Sequence, residues 1–277
     1  MIEPQIMHQE TAKILWNEAA GPSVHRIGLE CGTDYETAGP GQFVTIRLPE
    51  ELTPLLRRPF SIHRLIREES RVSGIEILYK AVGGFTRKLA QITAGTRIDL
   101  LGPLGNGFTV AHDYKSAALV AGGIGVAPMV FLAEKLIKSG IHAENSVVCL
   151  GGRSADDILC AADFRSLSLE TRLASEDGSI GEKALVTQIL ENWLKKHQPD
   201  IIYACGPMPM LEAVAAMAAK DAITCEVSIE TIMACGVGAC LGCAVKDTEH
   251  KAGYGHVCID GPVFKSDRVL SGVGYKV

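Results

Sequence analysis

The sequence predicts a β-rich N-terminal unit, a doubly wound α/β unit behind it and a small cysteine-rich unit at the end. Three observations carry this. Up to about residue 110, apolar residues fall in short alternating runs broken by Gly and Pro. From about Lys115, short apolar runs are interleaved with helical stretches. Four of the nine cysteines then crowd into residues 235–258. Alternation marks half-buried strands, whereas continuous apolar runs between helices mark parallel strands buried on both faces.

In the first unit, expected over 1–112, residues 42–48 place Phe43, Thr45 and Arg47 on one face and Val44, Ile46 and Leu48 on the other. Residues 72–82 and 97–101 are further strand candidates, and a small antiparallel barrel is the economical arrangement. The second unit, expected over 113–224, has apolar runs at 117–121, 146–150, 171–174 and 201–205. These alternate with helical stretches at 129–138, 182–196 and 209–220, the pattern of a doubly wound nucleotide-binding sheet. Residues 117–133 carry no charge, but the run is short for a membrane span. Gly122, Gly123, Gly125 and Pro128 within it fit a strand, a turn and a helix start. The third unit, 225–277, is too small for a large core, and its folding is expected to depend on a bound metal centre.

Composition narrows the function classes. A hydrophobic content of 47% is ample for globular cores. The formal net charge of −5, with no long Lys/Arg run, gives no reason to expect nucleic acid or an anionic membrane. Residues 1–10 lack the basic and apolar regions of a signal peptide, so nine cysteines point to a reducing, cytoplasmic setting. Cys31, Cys149, Cys160, Cys205 and Cys225 are scattered in apolar surroundings and are expected mostly as small buried hydrophobes.

Cys235, Cys240, Cys243 and Cys258 follow the C-x4-C-x2-C…C spacing of plant-type [2Fe–2S] ligands. The residues between are small and glycine-rich, as a loop must be if its amides are to face bridging sulfides. Structural zinc and disulfides are the competing readings, although zinc sites favour two short knuckles or Cys/His mixtures.

Arg57-Arg58-Pro59-Phe60-Ser61 offers a planar guanidinium fork for phosphate and a hydroxyl for a flavin edge, though an Arg pair is commonly a solvated face. Leu78-Tyr79-Lys80 and Gly83-Gly84-Phe85-Thr86 lie some twenty residues on. Tyr79 either covers a ring or fills a barrel wall. The glycine turn and Thr86 suit a pyrophosphate before a helix expected over 87–92. The Gly122-Gly123-Ile124-Gly125 turn lets backbone amides approach a ligand, but it is not the G-x-G-x-x-G dinucleotide fingerprint. Cys205-Gly206-Pro207 makes a second corner at a strand's carboxyl end, where open α/β sheets hold ligands. Either corner alone is also an ordinary strand-to-helix connection. Arg153 near the expected adenine ribose favours a 2′-phosphate, while Asp156 and Asp157 oppose it.

Together these motifs resemble the ferredoxin–NADP⁺ reductase superfamily. With the cysteine segment, Leu56-Arg57-Arg58-Pro59, the stretch from Leu101 to Phe108 and Gly261-Pro262-Val263-Phe264, the chain resembles the electron-transfer subunits of class 1B dihydroorotate dehydrogenase. That resemblance implies FAD on Arg58, Pro59, Phe60 and Ser61. It puts Leu78, Tyr79 and Lys80 beside the ribityl and adenylate portions, and Gly84, Phe85 and Thr86 at the pyrophosphate. Phe85 stands where the family commonly has glycine, leaving the turn to Gly84. NAD(H) is placed against Gly122, Gly123, Gly125, Cys205, Gly206 and Pro207, and the cluster on the four cysteines. It also implies that no catalytic acid or base is needed, that FAD and the cluster couple NADH to pyrimidine synthesis, and that an FMN-containing catalytic subunit pairs with the chain as a heterotetramer of two of each. A ferredoxin–NAD(P) reductase or sulfide dehydrogenase subunit is the rival within the class, and a non-catalytic zinc-binding module is the rival outside it.

Overall fold

The structure is a computed structural model that describes residues 7–48 and 55–270, so the outermost parts of the first and third expected units, 1–6 and 271–277, lie outside the described residues. The first sheet is antiparallel. Its strands are β1 (His8–Gly21), β2 (Val24–Glu30), β3 (Phe43–Arg47), β4 (Arg58–Ser61), β5 (Arg64–Glu68), β6 (Arg71–Lys80) and β7 (Arg97–Leu104), in the order β4-β3-β7-β1-β2-β6-β5. Val44 and Ile46 point into the barrel core with Ile14, Ile27, Ile75 and Ile77, as the alternation of 42–48 predicts. Phe43 on the opposite face is also buried, paired with Leu104 and in one hydrophobic cluster with Cys243 and Cys258. Both faces of β3 are therefore covered, which alternation alone does not reveal. β1, β2, β4 and β5 are not among the strands that the sequence predicts. Register shifts at Ile14/Trp16 and Ala19/Gly21 break the two-residue period that would have marked β1.

The helix α1 (Gly84–Leu89) starts three residues before the expected 87. Its start is set by Thr86, whose Oγ1 accepts from the amides of Val82 and Gly83, both at 3.0 Å.

The second sheet carries β8 (Ala117–Gly122), β9 (Val147–Gly152), β10 (Glu170–Ser175), β11 (Glu182–Lys183), β12 (Ile201–Cys205) and β13 (Thr224–Ser228) as parallel strands. Its helices are α2 (Ala127–Ser139), α3 (Ala161–Ser166), α4 (Val186–Leu194) and α5 (Met208–Lys220). The strand order is β11-β10-β9-β8-β12-β13, so the winding reverses between β8 and β12. The charge-free stretch 117–133 resolves into β8, a 3₁₀ turn over Gly123–Val126 and the start of α2. No helix among the described residues is long and apolar enough to cross a membrane.

One helix needs correction. The stretch 182–196 was expected as a single helix, but Glu182–Lys183 adds a strand to β10 and α4 begins only at Val186. Gln188 Oε1 accepts the Leu185 amide at 2.8 Å and fixes that later start. The expected boundary at 224/225 also falls inside β13, which belongs to the parallel sheet.

The last segment forms β14 (Ala244–Lys246), β15 (Tyr254–His256), β16 (Val263–Lys265) and α6 (Ser266–Val269). β16 pairs antiparallel with β13, so this unit is welded to the edge of the parallel sheet. Its hairpin closes on Asp247, fully buried, which accepts from the amides of Glu249 and His250 and from both arms of Arg268. Two motifs the sequence left without a role meet here. Asn106 donates its amide to the Gly261 carbonyl at 2.6 Å and its side chain to the Ile259 carbonyl at 3.0 Å, tying barrel to cysteine unit. The barrel and the parallel sheet are joined along α2 and α3, where Phe131 of α2 enters the barrel core and Arg64 bonds Glu134 of α2 at 2.8 Å and Asp163 of α3 at 2.7 Å.

Candidate functional site

The barrel has an open seam. β4 pairs with β3 on one edge, and β6 pairs with β2 along its length, but β5 ends opposite Glu76. The last residues of β6, 77–80, thus face the free edge of β4 across a gap, and main-chain groups at such edges need partners. Arg58, Pro59, Phe60 and Ser61 make up β4 and are partly buried. The Arg58 guanidinium lies 5.9 Å from the Phe85 ring centre and donates to the carbonyls of Leu56 and Arg57. Beyond the seam, a Cβ built on Gly83 or Gly84 meets nothing within 4 Å, so the first turn of α1 is open.

Three expected residues have side chains packed against other protein groups, Tyr79 and Phe85 both touching Phe60 of β4. Tyr79 is 2% exposed, stacks on His25 at 5.5 Å and donates its hydroxyl to Asn17 at 2.9 Å. Leu78 packs into the core shared with the parallel sheet, and Phe85 packs into the barrel against Phe60. Tyr79 is therefore a wall residue, and what Leu78 and Tyr79 can present to the seam is main chain. Asn17, missed in the sequence, also donates to the carbonyls of Leu89 and Ile92, so one side chain ties β1, β6 and the end of α1. Lys80 crosses to the parallel sheet and bonds Asp157 at 2.7 Å.

At the sheet's reversal point the two glycine corners interlock, which the sequence could not tell. A Cβ on Gly125 would lie 2.3 Å from the Cys205 carbonyl oxygen. One on Gly122 would lie 2.8 Å from Pro207, and one on Gly206 would lie 3.0 Å from the Gly122 nitrogen. Ala121 and Cys205 are register partners, so the turns leave adjacent strands side by side. Gly123 differs from its neighbours. Its φ is +53° and its missing side chain faces open space, leaving bare backbone toward the crevice where such sheets hold ligands. Burial pushes the Cys205 thiol up to about 12, with Ser228 opposing, so it is a neutral, inert group.

The cysteine loop turns through left-handed backbone at Gly236 (φ +74°), Gly238 (φ +76°) and Leu241 (φ +58°). Those turns aim amides at sulfur. Val237 and Cys240 donate to Cys235 Sγ at 3.4 Å each, and Gly238 donates to Cys258 Sγ at 3.2 Å. The sulfurs come as pairs: Cys243 and Cys258 lie 3.2 Å apart, and Cys235 is flanked by Cys240, whose backbone amide donates to its Sγ. Burial raises the Cys235 thiol, but the amides of Val237 and Cys240 outweigh it and bring it to about 7. Burial pushes Cys258 up to about 12, and the neighbouring Cys243 thiol adds to the rise. Two thiol pairs in an amide-lined loop fit a two-iron core, each iron taking two thiolates, better than a single zinc that needs four donors at one point. Among the described residues, no three His, Cys, Asp or Glu side chains converge on one ion.

Residues 230–270 match the family model described as the iron–sulfur cluster binding domain of dihydroorotate dehydrogenase B, and residues 119–216 match the oxidoreductase NAD-binding domain. The chain is 37% identical to the dihydroorotate dehydrogenase B (NAD(+)) electron transfer subunit of Desulforamulus reducens, over 94% of this chain and 97% of that one. It is 40% identical to the subunit of the same name from Bacillus velezensis, over 83% and 86%. Among solved structures it is similar to an NADH-dependent reduced ferredoxin-NADP oxidoreductase studied for flavin-based electron bifurcation, with a TM-score of 0.81, 28% identity and coverage of 94% and 90%. It shares its fold with a ferredoxin NADP⁺ reductase from Neisseria gonorrhoeae with bound FAD and NADP, at a TM-score of 0.62 and 16% identity over 76% and 91%.

Proposed function

We infer the function from one premise: the chain belongs to the family of dihydroorotate dehydrogenase B (NAD(+)) electron transfer subunits. It is an oxidoreductase subunit that uses FAD, NAD(H) and a [2Fe–2S] cluster to link NADH with a dihydroorotate dehydrogenase catalytic subunit of pyrimidine biosynthesis. When bound, the flavin exchanges hydride with the nicotinamide and the cluster passes electrons singly. The chain's own residues hold, orient and shield these groups.

The observation that carries this reading is the position of β3. On one edge it is bonded to β4, with Thr45 opposite Pro59. On its outer face the same Thr45 sits under the cysteine loop, its Cγ2 only 3.0 Å from where a Gly236 Cβ would be. One strand thus runs from the barrel seam to the sulfur pairs. Arg58 supplies the phosphate fork, Pro59, Phe60 and Ser61 line the isoalloxazine, and the main chain of Leu78, Tyr79 and Lys80 supplies the opposite edge. The turn of Gly84, Phe85 and Thr86 receives the pyrophosphate. Gly122, Gly123 and Gly125 with Cys205, Gly206 and Pro207 take NAD(H), and Cys235, Cys240, Cys243 and Cys258 hold the iron. The barrel, sheet and cysteine unit act as FAD, NAD and cluster domains.

The partner carries FMN and assembles with this chain two and two. Exposed apolar side chains next to the cluster ligands support a partner there: Leu241 follows exposed Cys240, Ile259 follows Cys258, and Ile232 is 87% exposed. The purified chain should show flavin and iron–sulfur absorbance, two irons per chain, NADH-dependent reduction of ferricyanide, and dihydroorotate oxidation only after the partner is added. A colourless zinc protein, or a chain that oxidises dihydroorotate alone, overturns the reading. Similarity to the ferredoxin-linked structure supplies the alternative, in which oxidised ferredoxin replaces the partner as acceptor. Electron transfer to ferredoxin in preference to the co-purified subunit would select it.

A further inference from the structure

His63 lies just past β4 in sequence, and its side chain is completely buried. Its main chain is fixed to β6 by a hydrogen bond that its amide donates to the Glu76 carbonyl at 2.8 Å. Its ring reaches into the other unit, where Nδ1 lies 2.6 Å from the carbonyl oxygen of Ala127. Ala127 is the first residue of α2, directly after the glycine turn. A carbonyl can only accept, so Nδ1 carries the proton and Nε2 is bare. Nε2 has no hydrogen-bond partner among the described residues and faces Glu76 Oε1 at 4.0 Å, which has none either. Around the pair stand Arg26, Arg64, Glu134 and Asp163, already engaged with one another or with Glu76. Burial depresses the ring to about 4, against the opposing pull of the Ala127 bond, so the imidazole stays neutral near pH 7 and keeps its donor role. A buried bare nitrogen is unfavourable, and the contact made in exchange spans the joint between barrel and parallel sheet.

We propose that His63 is a positioning residue for hydride transfer, its Nδ1–H bond to the Ala127 carbonyl locking the nucleotide turn onto the strands that bound the flavin seam. This rests on the reading that FAD and NAD(H) occupy those two places. Hydride transfer is sensitive to small misplacements of the reacting atoms, whereas affinity for either nucleotide draws on contacts spread along its length. His63 therefore acts on rate more than on binding. The ion pairs of Arg64 to Glu134 and Asp163 keep the two units together when the histidine is changed.

The test is stopped-flow reduction of the flavin by NADH in the FAD- and iron-loaded chain. His63→Ala is expected to lower the limiting rate about tenfold or more, with half-saturation by NADH, flavin content and the cluster's spectrum little changed. Asn places an amide N–H where Nδ1 was, and Gln places one nearer Nε2, so His63→Asn should recover most of the rate and His63→Gln should not. Equal rates for the Asn and Gln variants, or a change confined to half-saturation, overturn the proposal. If His63→Ala loses its flavin, the Asn/Gln comparison decides alone. Wild-type chain that NADH does not reduce defeats the functional reading itself, whereas normal wild-type reduction with unaffected variants defeats only the role of His63.

Discussion

The glycine corners of the parallel sheet and the cysteine loop are both sharp, glycine-rich turns, but they are held in opposite ways. The corners at 122–125 and 205–207 press backbone on backbone, with no room for a methyl group at Gly122, Gly125 or Gly206. They keep their shape without a ligand. The loop at 235–243 is shaped by positive φ angles and weak N–H···S contacts, and its sulfurs lie near one another without a covalent tie. Its geometry is completed by what it binds. Two neighbouring sites of one chain therefore have different vulnerabilities, one steric and one chemical.

The largest effect should come from the chemical side. Cys240→Ser is expected to deplete iron and loosen the C-terminal unit while FAD remains, because the barrel seam shares no residue with the loop. Iron and sulfide assays with the visible spectrum check this, and a variant with the full complement and an unchanged spectrum would show that Cys240 is not a ligand.

The steric side can be broken in two distinguishable ways. Gly125→Ala forces a Cβ to within 2.3 Å of the Cys205 carbonyl, so the sheet's ligand edge must shift. The cost should be roughly 1–3 kcal/mol of stability. Gly123→Phe meets no protein atom at its Cβ but fills the crevice from a left-handed position, adding a backbone cost of about 1–2 kcal/mol. It should stop reduction by NADH while FAD and cluster stay bound. Thermal melts and stopped-flow absorbance separate the two. A Gly123→Phe chain reduced at the wild-type rate would place the nucleotide elsewhere.

This contrast also explains what the sequence disclosed. The cysteine pattern was legible because ligand spacing is local and chemical. Strands 201–205 and 117–121 were legible because continuous apolar runs have few other uses. The interlocking of the two corners, the Asn106 bonds to the cysteine unit, the His63–Ala127 bond and the Lys80–Asp157 pair were not, since each joins residues far apart in the chain and leaves no periodic trace. Alternation identifies the faces of a strand but not what covers them. This is why the two readings of Tyr79, ring cover or barrel wall, stayed open in the sequence although its side chain is buried, and why Thr45 is buried on the barrel's outer side.

On the barrel side, Arg58→Ala should weaken FAD binding by removing charge-assisted bonds worth roughly 1.5–3 kcal/mol each. The loss should be graded, since the edges of β4 and β6 keep their main-chain groups, unlike the abrupt loss expected at Cys240. Flavin fluorescence after dilution and dialysis measures it, and undiminished occupancy would remove Arg58 from the site.

The smallest effect concerns the choice between NADH and NADPH, where the rigid sheet meets a charged side chain. Asp157 follows β9 at the sheet's carboxyl edge, and its carboxyl is held below its ordinary 3.8, first by the hydrogen bond from Lys80. It therefore remains an anion throughout the neutral range and disfavours a 2′-phosphate nearby. Arg153 pulls the other way, but its guanidinium, 81% exposed, is turned 3.6 Å from the same Asp157 and is partly neutralised by it. The loaded chain should use NADPH about tenfold less efficiently than NADH in kcat/KM, or about 1.4 kcal/mol. Because the carboxyl is depressed and not raised, that ratio should be insensitive to Asp157 titration from about pH 6 to 8, weakening only as pH falls through the carboxylate range. Asp157→Asn should narrow the preference and Arg153→Ala should widen it. Equal efficiency with both nucleotides, or a ratio that Asp157→Asn leaves unmoved, would mean that the adenine ribose does not lie against this edge.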